Sequence, residues 1–347
     1  MTQSHRATII EVARAASTSK TSVSRYFGEE RERLSPPLQA RIAEAASHLG
    51  YHPNQMARGL KGGSSRLIGM LVADIRNPFS VAVMHGVEQA CREQGLSLLV
   101  CNTDNDPAQE REHLALLTAY RIEGLVVNVA GSPHRELQNL AAQGVPMVLL
   151  DRELVDVDAE LVGLDNPLAI DMALDHLQAQ GYRELLYVSE PPGQASPRTT
   201  RLGCYQRGCE ARSLTGKVHY QDLADTAMLH QVIAAFLTGS TRSPKALLCA
   251  NGNVTLAVTR ILHTLGARLG ETGLIGIDEL DWCALVGPGI STLAQPTDAI
   301  GRDAVQCLLA PGNRRVAPRG LHAPTLIARG STRRPAQAPA QEEEPEQ

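Results

Sequence analysis

The chain has 347 residues, with 33 Lys and Arg against 37 Asp and Glu and a formal charge of −4. That length suggests roughly two to three domains with a sizeable core, and 43% hydrophobic with 20% charged residues excludes wholesale disorder. Aromatic residues are only 3%, which excludes an aromatic stacking platform for single strands.

In chain order, residues 1–52 read as three short helices. Thr8 and Glu11 have capping-box spacing ahead of an apolar pattern of Ile9, Val12, Ala13 and Ala16. Ser17-Thr18-Ser19 interrupts it, and Ser19 can cap a second helix running to about Phe27. Ser35-Pro36 supplies an N-cap and a first-turn proline for a third helix. Ile42, Ala45, Ala46 and Leu49 make its apolar face and Gly50 its stop. From Arg66 onward the pattern changes. Apolar runs at 67–73, 96–101, 125–129, 146–150, 185–188, 246–250 and 273–277 alternate with helical stretches. The helices fall near 78–94, 108–120, 134–143, 167–180, 199–212, 226–238, 253–265 and 297–310. Such alternation predicts parallel α/β sheets with helices on both faces. Over some 260 residues two doubly wound lobes are more natural than one sheet. Residues 331–347, with three prolines and four Glu, have the composition of a disordered acidic tail.

Seven cysteines occur without Cys-x-x-Cys spacing, several in apolar runs such as Leu248-Cys249-Ala250. They read as buried free thiols in a reducing cytosol. The start, Met1-Thr2-Gln3-Ser4-His5-Arg6, lacks the apolar region of a signal peptide. No apolar stretch approaches the roughly 18 residues that span a bilayer. A soluble, cytoplasmic protein is expected.

The overall charge hides an asymmetry. Residues 1–66 hold ten basic groups and five acids, a net of +5, which leaves −9 on the other 281 residues. A basic head on an acidic body suits attraction to phosphate, although surface basicity also has ordinary causes. Thr8 to Arg25 fits a helix-turn-helix whose second helix exposes Lys20, Thr21, Ser24 and Arg25. In that motif the second helix enters the major groove. Lys20 and Arg25 can donate to guanine O6 and N7, and Thr21 can bond a base edge or touch a thymine methyl. Periodicity alone equally allows a helical hairpin with a solvated polar face.

This stretch, followed by Gly50-Tyr51-His52-Pro53-Asn54 and Met56-Ala57-Arg58-Gly59-Leu60-Lys61, resembles the LacI/GalR family of bacterial transcription repressors. Further pieces follow in register to Arg329: Asp74-Ile75-Arg76-Asn77-Pro78-Phe79, Leu150-Asp151-Arg152, Gly276-Ile277-Asp278 and Ser291-Thr292-Leu293-Ala294-Gln295-Pro296. One departure is the turn, Ser17-Thr18-Ser19, where the family usually has Gly-Val-Ser. The resemblance implies an all-α helix-turn-helix head (1–52) and a hinge helix (53–65). It also implies a periplasmic-binding-protein-like, two-lobed α/β core (66–330) with crossovers near 163, 291 and 321. It implies a homodimer on double-stranded, pseudo-palindromic operator DNA, contacted through Thr8, Ser19, Lys20, Thr21, Ser24 and Arg25. Asn54 to Lys61 is too short for an independent helix and so can fold on DNA. By resemblance Leu60 is the apolar wedge levered into the minor groove, with Asn54, Arg58 and Lys61 beside it.

In a doubly wound fold, ligands sit beyond the carboxyl ends of the strands. The polar residues there are Asp74, Asn77, Asp151, Arg152, Asn251 and Asp278, and Gln295 joins them. Phe79 and Trp282 lie in the same loops and suit a pyranose face or the core. Arg201 matches the family's ligand-anchoring arginine, pairing with a carboxylate or a hydroxyl cluster. Gly252 stands where many relatives carry an acid. The set suits a sugar or sugar acid. Within the family, Val83-Met84-His85-Gly86-Val87-Glu88 and Gly163-Leu164-Asp165-Asn166-Pro167 resemble regulators of 2-ketogluconate use, which implies 2-ketogluconate as effector.

No phosphate-loop order, nucleophile elbow, His-Glu-x-x-His or Cys/His metal spacing occurs, so no catalysis, cofactor or metal is expected. The tail lacks leucine heptads, which predicts a dimer without an added tetramer helix. The rival reading, a solute-binding protein of the same two-lobed fold, requires an export signal and no DNA-binding head. A nucleotide-dependent α/β enzyme requires glycine fingerprints that are missing.

Overall fold

The computed structural model describes residues 7–28, 30–52, 64–129, 134–154, 157–193, 195–239, 243–310 and 320–333. The expected hinge contacts Asn54, Arg58, Leu60 and Lys61, and the acidic tail beyond 333, lie outside them. The chain divides into two compact units, Met1–Ser65 and Arg66–Gln347.

In the first unit the helices are α1 (Ile9–Ala15), α2 (Lys20–Tyr26) and α3 (Pro36–His48), with a 3₁₀ turn at Arg31–Arg33. Their starts follow from local side-chain chemistry. The Thr8 hydroxyl accepts from the Glu11 amide at 3.4 Å, and the Glu11 carboxylate accepts from the Thr8 amide at 2.7 Å. This reciprocal box satisfies two otherwise orphaned donors. Ser19 Oγ accepts from the Ser22 amide at 3.0 Å, and prolines occupy the first turn of α3. Val12, Val23 and Ile42, one from each helix, are fully buried and close a small core with Ala13, Ala16 and Ala46. The corner between α1 and α2 turns on Ser17, whose φ is +49°. From there the Thr18 amide reaches back to the Ala13 carbonyl at 2.9 Å, a wrap that needs a left-handed residue.

In the second unit the strands are β1 (Leu67–Val72), β2 (Ser97–Asn102), β3 (Gly124–Asn128), β4 (Met147–Leu150), β5 (Glu160–Leu164) and β6 (Glu184–Ser189). The remainder are β7 (Thr215–Tyr220), β8 (Lys245–Cys249), β9 (Gly273–Ile277), β10 (Ser291–Ala294), β11 (Gly320–His322) and β12 (Thr325–Ile327). The helices are α4 (Pro78–Glu93), α5 (Pro107–Ala119), α6 (His134–Ala142), α7 (Asn166–Ala179), α8 (Ser196–Ala211), α9 (Thr226–Thr238), α10 (Gly252–Thr264) and α11 (Thr297–Leu309). Two six-stranded sheets result, in the orders β11-β5-β4-β3-β1-β2 and β12-β10-β9-β8-β6-β7. Each is the centre of a lobe. Every residue of β3, β4, β6, β8 and β9 is buried, as a parallel sheet covered on both faces requires. An apolar cluster lies on either side of each sheet.

The chain passes between lobes three times: from β5 into α7, from β10 into α11, and from β11 into β12. The second passage returns α11 to the first lobe, where it packs on α4. A Cβ on Gly301 would lie 2.5 Å from the Val87 amide nitrogen, so these helices touch backbone to backbone.

The apolar runs correspond to β1, β2, β3, β4, β6, β8 and β9. The strands they do not announce have physical excuses. β7, Thr-Gly-Lys-Val-His-Tyr, is an edge strand with half its residues or more exposed, and so carries no hydrophobic run. β11 and β12 are three residues each. β12 pairs antiparallel to β10, the single departure from parallel order among the described strands. β10 leaves its lobe for the other, whereas β12 arrives from it, so the two must run in opposite directions. Among the described residues no helix is long and apolar enough to cross a membrane. All seven cysteines are free thiols, five of them buried, and burial pushes the Cys91 thiol up to about 11.

Candidate DNA-reading surface and effector cleft

On the first unit, α2 buries only Val23 and exposes Lys20, Thr21, Ser24 and Arg25. This is the surface a groove-reading helix presents. Arg25 is held on the surface by an ion pair with Glu30 at 3.1 Å, and Glu30 also takes Arg33 at 2.5 Å. Pairs this exposed are weak, so DNA can displace Glu30 from Arg25 at little cost. Ser19 and Thr8 stand at helix starts with their hydroxyls engaged in caps.

On the second unit, the polar residues after successive strands gather where the lobes meet. After β9, Asp278 is 6% exposed and adopts φ +83°. Its Oδ2 accepts from the Gly252 amide at 2.9 Å and its Oδ1 from Gln295 Nε2 at 2.6 Å. After β8, Asn251 caps α10 through its Oδ1, accepting from Val254 at 2.9 Å, and donates from Nδ2 to Glu190 at 2.7 Å. On α8, Arg201 is 5% exposed. Its Nε donates to Asn166 Oδ1 at 2.6 Å and its Nη1 to the Ala250 carbonyl at 2.7 Å. After β4, Asp151 adopts φ +63°. Gly163 on β5 makes room for that turn, since a Cβ there would sit 2.9 Å from Asp151 Cα.

Electrostatics tie the two lobes together. Burial pushes the Asp151 carboxyl above the usual carboxylate range, while the charges of Arg201 and Arg152 pull it back. Asp278 and Arg198 act on it as well, so groups from both lobes sense one another. The Glu153 amide bonds Ser196 Oγ across the lobes at 2.8 Å. Three buried polar atoms here have no hydrogen-bond partner among the described residues: Asp151 Oδ1, Arg152 Nη1 and Gln295 Oε1. Buried polar atoms are nearly always satisfied, which makes these three the distinguishing feature of the candidate site.

Other expected residues are placed differently. Asp74 binds Arg76 through Nε at 2.9 Å. Asn77 caps α4, accepting from the Phe79 amide at 3.1 Å. Phe79 is 8% exposed and packs into the first lobe's apolar cluster with Val72 and Val83. Trp282 lies half-buried in the 3₁₀ turn Asp281–Ala284, against the second lobe's cluster around Cys283. Glu190, Arg198 and Asn166 join this hydrogen-bonded group but were not picked out from the sequence. Glu190 follows β6 directly, so the rule that found Asp151 and Asp278 applies to it equally. Arg198 lies one helical turn before Arg201 and pairs with Glu190 at 2.8 Å. Asn166 gave no local signal, because its partner is 35 residues away. Among the described residues no cluster of His, Cys, Asp and Glu could hold a metal ion.

Residues 8–54 match the family of bacterial regulatory proteins, lacI family, and residues 174–332 match the periplasmic binding protein-like domain. The chain is 52% identical over 331 residues to the HTH-type transcriptional regulator PtxS of Pseudomonas aeruginosa, covering 94% of this chain and 96% of the relative. It is 38% identical to the HTH-type transcriptional regulator KdgR of Bacillus subtilis, over 87% of this chain and 90% of that one. Among solved structures, the lac repressor dimer bound to operator and the anti-inducer ONPF superposes with a TM-score of 0.79 at 20% identity, covering 94% of this chain and 99% of that one.

Proposed function

Because the chain belongs to the lacI family of bacterial regulatory proteins, and is therefore a DNA-binding transcriptional regulator and not an enzyme, we propose a division of labour within it. Two copies set their α2 helices in successive major grooves of a pseudo-palindromic operator, so that site symmetry mirrors protein symmetry. Lys20, Thr21, Ser24 and Arg25 read base edges, and Thr8 and Ser19 hold helix N-termini toward phosphates. Asn54, Arg58, Leu60 and Lys61 form the minor-groove contact, with Leu60 as the wedge. The +5 segment attracts DNA and the −9 remainder repels it. The protein works in the cytoplasm.

The effector is a sugar acid, 2-ketogluconate, held by Asp151, Arg152, Arg201, Asn251, Asp278 and Gln295. The observation that carries this reading is the group of buried, unsatisfied donor and acceptor atoms between the lobes. A ligand with one carboxylate and several hydroxyls satisfies both kinds. Binding draws the lobes together, unpairs the two hinges and releases the operator. For that, the effector must prefer the DNA-incompetent state, by about 10⁴-fold to move 1:99 to 99:1. Asp74 and Asn77, engaged with Arg76 and with α4, shape the rim of the cleft and do not grip the ligand. Phe79 and Trp282 support its walls.

The test is a thermal-shift and operator-release screen with 2-ketogluconate, D-gluconate and D-glucose. A raised melting temperature and operator release with the acids alone is the expected result. Release by the neutral sugar with no response to either acid overturns the sugar-acid reading.

A further inference from the structure

Arg201 is the arginine the family resemblance nominates for a ligand carboxylate, yet two of its three guanidinium nitrogens are already engaged with the protein. A guanidinium grips a carboxylate bidentately through Nε with Nη2, or through Nη1 with Nη2. In Arg201 the Nε is spent on Asn166 and the Nη1 on the Ala250 carbonyl. The Nε–Nη2 fork is therefore closed, and what remains for a ligand is the second N–H of Nη1 with the two of Nη2.

Arg152 is in the opposite condition. Its Nη1 is buried and has no hydrogen-bond partner among the described residues. Its backbone is pinned, the amide donating to the Leu150 carbonyl at 2.7 Å. The neighbouring Asp151 presents a buried Oδ1, an acceptor likewise without a donor. A buried, unsatisfied donor and a buried, unsatisfied acceptor therefore sit on adjacent residues after β4. They match a carboxylate whose neighbouring carbons carry hydroxyls.

We infer that Arg152, and not Arg201, takes the carboxylate of the effector, and that this pairing makes the cleft select sugar acids over neutral sugars. The inference rests on the sugar-acid reading above and assigns its specificity to one residue. Burial disfavours the Arg152 charge, Asp151, Glu110 and Glu190 favour it, and Arg198 across the lobes opposes it. Because Arg198 is already tied to Glu190 and to the Pro191 carbonyl, Arg152 is the arginine with capacity to spare. Arg201 and Asp278 then hold the hydroxyl end, and Asp151 the hydroxyl nearest the carboxylate.

The experiment is calorimetric titration of the full chain with D-gluconate, 2-ketogluconate and D-gluconamide, the last being the uncharged counterpart of gluconate. Wild type binds the acids and discriminates against the amide. Removing one partner of a buried charge pair weakens binding by roughly 100-fold or more. Arg152→Gln therefore loses the acids by that factor and nearly equalises gluconate and gluconamide. Arg201→Gln weakens all bound ligands without closing that gap. Arg152→Lys keeps the charge but not the fork and weakens the acids about tenfold, which also tests the idea if the glutamine variant fails to fold. Acid affinity within threefold of wild type in Arg152→Gln overturns the inference, as does a gap closed by Arg201→Gln instead. Wild type that binds neither acid overturns the underlying sugar-acid reading and the clamp with it, a result distinct from both.

Discussion

Ser17 holds φ at +49° where the helix-turn-helix corners, a backbone region that favours glycine. An L side chain in that region crowds its own backbone, at a cost of about 1–2 kcal/mol, and glycine escapes it while losing somewhat more unfolded-state freedom. Ser17→Gly should therefore stabilise the head by about 1 kcal/mol, read as slower hydrogen exchange of the α1 and α2 amides. Unchanged or faster exchange would show that the corner is not strained. Arg201 gives the contrasting case, a buried side chain whose donors meet Asn166 and Ala250. Arg201→Ala leaves both acceptors bare, costing about 1–3 kcal/mol of stability, and it should abolish effector-dependent operator release. Persistence of release would remove Arg201 from the site. The two residues also mark what can be read at this scale. A cap or a turn is legible because its partners lie within four residues, as Thr8 and Glu11 do. The distant partner of Arg201 is supplied only by the folded lobe.

Among the elements, β9 and β10 are tied to the segment after β12 by a pair that no periodicity announces. Arg329 donates to both carboxylate oxygens of Glu279, at 2.6 Å from Nη2 and 2.9 Å from Nη1. It also donates to the Ile290 carbonyl at 2.8 Å. Thr292 on β10 bonds the same carboxylate. Glu279 follows Asp278, so this anchor steadies the backbone turn that aims Asp278 into the cleft. Burial pushes the Glu279 carboxyl up, but the hydrogen bonds from Arg329 and Thr292, with the Arg329 charge, outweigh it and hold the group below the usual range. A depressed carboxyl contributes stability in full above its unfolded pKa, near 4.3. That contribution fades as pH falls through the folded value. Arg329→Met should thus cost about 2 kcal/mol at pH 7, with the difference from wild type shrinking below about pH 4. Urea unfolding at both pH values checks this, and a gap that stays constant with pH would assign the loss to packing instead. Buried strands were legible because burial on both faces forces unbroken apolar runs, and helices because one buried face imposes a 3.6-residue apolar period. The exposed edge strand β7 and the three-residue strands β11 and β12 were not, since such strands need no run, and β5 and β10, with three buried residues each, were too short to show one.

For the molecule as a whole, the decisive property is the separation of charge between residues 1–66, at +5, and the remainder, at −9. Net charge alone would argue against a nucleic-acid partner, and only its distribution reverses that. With the body repelling phosphate, DNA contact must run through the head and the hinge, and affinity must depend on counterions released there. Each neutralised phosphate contributes about −0.9 to the slope of log affinity against log salt. A dimer whose two heads together neutralise some six to ten phosphates should show a slope between roughly −5 and −9. Random DNA shares the phosphates but not the base contacts or the kink, so its slope should be similar while its affinity is far lower. Leu60→Ala separates the two contributions. A wedge removes no charge, so the variant should keep the salt slope on both DNAs while losing affinity for operator and not for random sequence. Fluorescence-anisotropy titrations between 50 and about 200 mM salt measure all four quantities together. A slope shallower than about −3 would mean that the basic head does not carry the binding. Equal losses on operator and random DNA would mean that Leu60 only packs against protein.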